Sequence, residues 1–454
     1  RRMTDALRLE VNAVSFATRR VRFRLPFHFG NSVVTETEEG VVSLTITVGG
    51  KRAEGRSAQL LVPRWFDKRA VRSNDETVAD LRLSLEIACR LAETISGETI
   101  GEATTRLRAG TEAAMPAGTP RLAAHFGPAL VEMALIDALC FAFGLNFTQA
   151  ARADLFGVAA MTAPDIAPQT ITATLARIAP LPAITPRQTI GFDAPLTAEA
   201  VTTDMPEDGR PVSLEAIIRA TGIRAFKIKL KGDPDADIDR LSAIARIVGA
   251  MDGLRVTLDA NEQYSAARFA GFLDRLVADA TLSSFREAIA FIEQPFDREE
   301  ALAQEIKPEI GRFPLIIDES DDHDGAFASA LERGWSGTSI KSCKGVLRAL
   351  LNFCRVQAAR AEGRRVFISA EDLTCQPGLC WQQDTLVAAT LGLADVERNG
   401  HHFAGGMQGC DDLQKARLLA AHPDIYTKQN GQIDLRIIDG TIAVGSLFVP
   451  GFGR

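Results

Sequence analysis

The sequence predicts an α/β protein, a TIM-like (β/α) barrel of seven to eight units under an N-terminal α+β capping domain that the C-terminal segment completes. Two observations predict it. From residue 214 onward, short apolar runs of strand composition alternate with helical periodicity at intervals of roughly 23–34 residues, which means βα units and a parallel sheet. The apolar runs also end, almost without exception, in a charged residue, as strands opening on one polar mouth would.

Taken in order, residues 41–48 (VVSLTITV) have strand composition and stop at Gly49-Gly50. Residues 77–91 and 127–143 carry helical periodicity. A stretch over 160–211, rich in Pro, Thr and Ala, holds a strand near 188–192 and reads as the enlarged entry to a second domain. Then come strands at 225–230 (AFKIKL), 254–259 (LRVTLD), 290–293, 315–318, 338–341, 366–369 and 395–398. Helices fill the gaps; the one at 265–278 places Phe269, Phe272, Leu273, Leu276 and Val277 on one stripe. With the strand near 190 the count is eight, which favours a closed barrel over an open sheet. Residues 433–448 read as short strands that return to the cap. The expected domains are 1–160 (cap), 161–415 (barrel) and 416–454 (return segment).

The 454 residues are 46% hydrophobic and 24% charged, with a formal net charge of −7. That balance, without a basic tract, argues against nucleic-acid binding. No apolar run is long enough for a membrane helix, and the first ten residues lack the apolar core of a signal peptide. Seven dispersed cysteines read as free thiols in a reducing compartment, so a cytoplasmic location is expected.

Asp259, Glu293 and Asp318 end three successive strands. Three carboxylates brought to one mouth repel unless a divalent cation lies among them, and oxygen ligands suit Mg²⁺, with Mn²⁺ as the alternative. Capping of the following helices is the plain structural explanation for any one of these acids; three in a row point to a metal. Lys227 and Lys229 are two apart on a strand and point to one side, so Lys227 is expected to depress the pKa of Lys229 by like-charge repulsion. Lys341 ends the sixth strand, across the barrel from the second. Two bases on opposite faces of a substrate could remove and deliver a proton next to a carboxylate, whose enediolate needs positive charge nearby.

These residues resemble the enolase superfamily. The KIK of Lys227–Lys229, the DAN from Asp259, the EQP from Glu293, the DES from Asp318 and the IKSCK from Ile340 match in type, order and spacing. Lysine bases make the chain similar to the muconate lactonizing enzyme subgroup. The resemblance implies that Asp259, Glu293 and Asp318 bind Mg²⁺, that Lys229 and Lys341 are the acid/base pair with Lys227 as electrostatic neighbour, and that Asn261 and Glu319 stand beside the ligands. It implies that Phe27 and His28, in a PFHF like the family's mobile first-domain loop, cap the substrate, and that Glu371 keeps the role of the seventh-strand Glu. Residues 131–137 resemble the cap's closing helix. The implied activity is that of an isomerase (racemase, epimerase or cycloisomerase) on a small carboxylate. A lyase of the succinylbenzoate synthase type shares the first step, and a Schiff-base enzyme using Lys341 is a third reading. The resemblance also implies a homo-oligomer, from dimer to octamer.

Smaller candidates remain. Cys343 reads as a bystander, since no His partner is evident. Lys344 reads as an anion contact or a solvated residue. His401 and His402 either reach the mouth or lie on a surface loop. The segment 60–66 (LLVPRWF) either lines the lid or packs between domains. Arg24 reads as a plain strand residue rather than a carboxylate clamp.

Overall fold

The computed structural model describes residues 7–29, 32–429 and 431–454. Its cap is an antiparallel sheet of β1 (Leu9–Phe29), β2 (Ser32–Val48) and β3 (Lys51–Leu60), with the short β4 (Ser96–Glu98) on the far side of β1. Only part of β2 was legible in the sequence. β1 escaped because its buried residues, such as Leu9, Val21 and Phe27, are interrupted by runs of arginine. Its register also slips: Arg22 lies opposite Glu36, but Phe27 lies opposite Val34. This bulge frees residues 23–26 from β2 and turns the segment toward the barrel.

Helices Asn74–Ala92 and Ile100–Ala114 both start on capping boxes, at Ser73 and Thr99. Helix Phe126–Phe143 is apolar apart from Glu132 and Asp137 and is buried on every face through Cys140. It lies on β3, where Gly55 lets the two backbones meet; a Cβ there would stand 2.0 Å from the Ala134 carbonyl oxygen. The stretch Arg121–Phe143 is long and apolar enough to cross a membrane, yet 83% of an apolar 18-residue window within it is buried in the fold.

Eight parallel strands follow: β5 (Ala183–Ile190), β6 (Ala225–Lys229), β7 (Arg255–Asp259), β8 (Ile289–Glu293), β9 (Leu315–Ile317), β10 (Gly337–Ile340), β11 (Phe367–Ala370) and β12 (Asp395–Glu397). Pairing of β12 with β5 closes the barrel. β5 starts earlier than the sequence suggested, because Pro186 in its middle breaks the usual strand signature. The stretch 160–211 is thus two features. One is a connector containing helix Pro168–Leu175. The other is a long loop after β5, ending at helix Leu214–Thr221, on the side where the barrel strands end.

A hairpin of β13 (Tyr426–Gln429) and β14 (Gln432–Leu435) follows the last barrel unit. The short β15 (Ile442–Ala443) does not join the cap as expected; it pairs antiparallel with the start of β5, Ile442 opposite Ile184. The final residues make the return instead.

Two buried acids of helix Phe126–Phe143 hold cap and barrel together. Glu132 accepts the amides of Val346 (2.5 Å) and Leu347 (3.0 Å), at the start of helix Val346–Ala361, and pairs with Arg108 at 3.2 Å. Gly345 makes this approach feasible, since its φ is +115° and a Cβ would stand 2.2 Å from the Arg108 guanidinium. Asp137 accepts the amides of Arg56 and Phe452, each at 2.8 Å, and pairs with Arg454 at 2.8 Å.

Burial pushes the Asp137 carboxyl up to about 6, against the pull of Arg454 and the two amides. The unfolded chain titrates near 3.9, so folding favours the protonated form. That contribution is full below about pH 4 and is lost as pH rises through about 6. Between pH 4 and 7 the wild type should therefore lose about 2 kcal/mol of unfolding free energy relative to Asp137→Asn. Urea titrations across this range would measure it, and a pH-independent difference would remove Asp137 as the titrating group.

Candidate active site

Parallel register explains why charged strand ends meet. Lys229 lies opposite Asp259, and Asp259 opposite Glu293, so β6, β7 and β8 present these three side chains to one mouth. Asp318 follows β9 and Lys341 follows β10. All are buried: Glu293 and Asp318 are 0% exposed and Lys229 5%. The structure thus brings together the five residues expected to act as ligands and bases.

Lys227 is the centre of the group. Its ammonium lies 3.0 Å from Asp259, 2.8 Å from Glu293, 2.8 Å from Glu371 and 3.1 Å from Glu397. Burial works against its charge, but these four carboxylates hold its pKa well above the usual lysine value. The expected role as a free cation repelling Lys229 does not match this geometry, because four carboxylates offset its charge. Lys229 itself donates to Asp259 (2.6 Å) and to Asn261 Oδ1 (2.9 Å). Lys341 donates to Asp318, which raises the lysine pKa in spite of burial.

Lys344 is no solvated residue. It is buried and donates to the Ser339 carbonyl (2.7 Å) and the Asp318 carbonyl (3.1 Å), with the Asp318 carboxylate at 3.3 Å. Burial opposes ionisation of Asp318, yet Lys341, Lys344 and Lys227 hold its carboxyl well below the ordinary range. Asn261 bridges Lys229 to Glu319 through a 3.1 Å bond from its side-chain amide. Burial and the neighbouring Asp318 push Glu319 up to about 7.

Glu371 does reach the site, tied to Lys227 and to Arg187 (2.8 Å). Asp372 accepts the amides of Thr374 and Asn399 instead, and burial with Glu397 nearby pushes its carboxyl up to about 8. Sequence reasoning missed Arg187 and Glu397. Burial opposes charge on Glu397, but Lys227 and Lys229 hold it down at about 2. An acid closing the eighth apolar run was the available signal for Glu397; Arg187, next to Pro186, had none.

The cap supplies two aromatic covers. The Trp65 ring lies 4.2 Å from the Lys341 ammonium, and the Phe27 ring 5.9 Å from that of Lys229. Phe66 turns the other way and packs edge-on against Phe126, so the 60–66 segment serves both lid and cap core. His28 lies 4.0 Å from Asp193 in the loop after β5 and lines the same cavity as Phe27. Burial pushes the Cys343 thiol far up, which suits a bystander. His401 and His402 lie in the short helix Gly400–Phe403, beside Arg24 and Arg210 rather than beside the lysines. Arg24 is a clamp after all, but for this chain's own Asp208, with further bonds to the carbonyls of Arg210 and Pro211.

Could the acids hold a cation? Among the described residues no three of them stand as a finished metal cage; ammonium groups lie between them. The donors nonetheless fit a hard divalent ion. Glu293 is fully buried; its Oε1 has no hydrogen-bond partner and its Oε2 meets the Lys227 ammonium at 2.8 Å, while burial and Asp259 push its carboxyl well above the normal range. Six buried acids (Asp259, Glu293, Asp318, Glu319, Glu371, Glu397) face five buried bases (Arg187, Lys227, Lys229, Lys341, Lys344), so acids are in excess of bases. Lys227→Met would leave this excess far larger. Its unfolding free energy in EDTA should fall by about 3 kcal/mol or more, and Mg²⁺ should restore part of the loss. Thermal unfolding with and without Mg²⁺ reads this directly, and an unchanged stability would show that Lys227 does not hold the acids together.

Residues 212–346 match the family described as enolase C-terminal domain-like. No curated protein sequence matches the chain. The fold is similar to that of the L-Ala-D/L-Glu epimerase from Bacillus subtilis, at 16% identity and TM-score 0.61 over 98% of each chain. It is also similar to 2-chloromuconate cycloisomerase from Rhodococcus opacus 1CP, at 16% identity and TM-score 0.60 over 98% of this chain and 96% of that one. An enolase from Bradyrhizobium complexed with magnesium and mandelic acid aligns at 16% identity and TM-score 0.59, covering 98% of this chain and 95% of the other. At such identities the likeness is one of fold.

Proposed function

We propose that the barrel of this chain belongs to the enolase superfamily and that the protein is a Mg²⁺-dependent isomerase that removes and returns a proton next to the carboxylate of a small substrate. One observation carries the reading: two buried lysines, Lys229 and Lys341, each face a different strand-end acid, Asp259 and Asp318, with Glu293 on the strand between. Asp259, Glu293 and Asp318 would hold the cation, which supplies positive charge to the substrate carboxylate and to the enediolate formed from it.

The remaining roles fall to the chain. Lys229 and Lys341 take and give the proton from opposite faces, so either configuration of the carbon can be read or written. Asn261 fixes the Lys229 ammonium through its side-chain oxygen. Lys344 fixes Asp318. Phe27 and Trp65 cover the two lysines and exclude water from the reacting carbon. The epimerase and cycloisomerase of similar fold support an isomerase outcome, and the enolase complexed with magnesium and mandelic acid supports both the metal and the carboxylate. Seven free thiols support a reducing, cytoplasmic setting.

Incubation of a panel of α-chiral carboxylates in D₂O with Mg²⁺ should give α-deuterium exchange and interconversion for at least one member. EDTA should abolish both. Lys229→Ala and Lys341→Ala should each reduce exchange by a hundredfold or more, each for the opposite enantiomer. Exchange that survives EDTA, or that both variants retain in full, would overturn the proposal.

A further inference from the structure

We propose that a cavity between β1, the loop after β12 and the C-terminal hairpin is a second ligand site, which takes a small molecule bearing a carboxylate or phosphate group. The cavity holds about 650 Å³. Five segments build it: the β1 bulge, the loop after β5 with Asp208 and Arg210, residues 404–408, helix Asp412–Ala421 and the β13–β14 hairpin. The helix turns one face to it, with Asp412, Lys415, Ala416 and Leu419 at helical spacing.

Its charge is one-sided. Arg22, Arg24, Arg210, Lys415 and Lys428 line the cavity against Asp208 and Asp412. Asp208 is taken up by Arg24, and Arg210 pairs with Asp434 at 2.7 Å. Arg22, Lys415 and Lys428 form no ion pair among the described residues. Single exposed cations are ordinarily just solvated. Here three cations from three different segments, two exposed and Lys415 half-buried, line one concave space. The wall is also held in place: Gln408 accepts the Arg22 amide (2.9 Å) and donates to the Arg22 carbonyl (2.6 Å).

A neighbouring cavity of about 530 Å³ shares Arg24, Asp208 and Arg210 and adds His401 and His402. Burial, with the positive charges of Arg24 and Arg210 adding to it, pushes these imidazoles down to about 4 and about 3, so they stay neutral. The second space gives room for the body of a metabolite behind its anionic group. Neither space is lined by Lys229, Lys341 or the strand-end acids, so the site is separate from the barrel mouth. Because Arg22 and Arg24 lead into Phe27, a bound anion ties the lid strand to the C-terminal segments.

Inorganic phosphate and succinate, each titrated calorimetrically into the full chain at ionic strength held constant with NaCl, test this. We expect saturable binding of at least one; phosphate alone assigns a phosphate ligand, and succinate alone a carboxylate. Binding should weaken about tenfold in Lys415→Ala/Lys428→Ala and also weaken in Arg22→Gln, made separately in case the double variant folds poorly. Lys341→Ala should bind as the wild type does. No saturable binding overturns the proposal, as does equal affinity in the variants, or loss of binding in Lys341→Ala, which would put the anion at the mouth.

Discussion

The contact on which the barrel most depends is the Lys227 ammonium among four carboxylates. Asp259 and Glu293 come to it from β7 and β8, Glu371 and Glu397 from the ends of β11 and β12. One positive charge thus ties strands on both sides of β6 and spans the closure of the barrel. In a desolvated interior each acid would be costly to leave unpaired. Arg187 reinforces the group from β5 through Glu371. Inside the barrel, geometry and electrostatics are therefore one problem: no strand end can move without changing the charge balance of its neighbours.

The cap is placed with equal care by charges that have left water. Glu132 accepts the first amides of a barrel helix, and Asp137 accepts an amide from β3 and another from the chain's last residues. Both acids stand on a helix that is otherwise apolar. Helix-end amides and guanidinium groups offset the cost of their burial. The consequence reaches the site, because β1 and the segment after β3 carry Phe27 and Trp65, and the docking of the cap fixes how those rings meet Lys229 and Lys341.

Legibility in the sequence followed the range of the forces involved. Asp259, Glu293, Asp318 and Lys341 could be read because a charge after an apolar run is a local pattern, repeated at regular intervals. The same pattern was present at Glu397 but went unused. β1 and β5 were blurred by arginines and by Pro186, whose tolerance depends on neighbours far along the chain. Lys344 could be read only as an anion contact or a solvated residue, because its acid, Asp318, lies 26 residues away. Arg24 had no visible acid; its partner, Asp208, lies 184 residues away in the loop after β5.

Residue order alone specified the alternation of strands and helices, the closure at eight, and the set of acids and lysines at the strand ends. These rest on side-chain period and local propensity, which each segment carries with it. Which ammonium meets which carboxylate was settled by register and barrel closure. Lys227 finds Glu371 and Glu397 across 144 and 170 residues of sequence, and no local rule links them. The basic cavity by β1 likewise exists only because the β1 bulge, a late helix and a hairpin fold against one another, for charge accumulates in space and not along the chain.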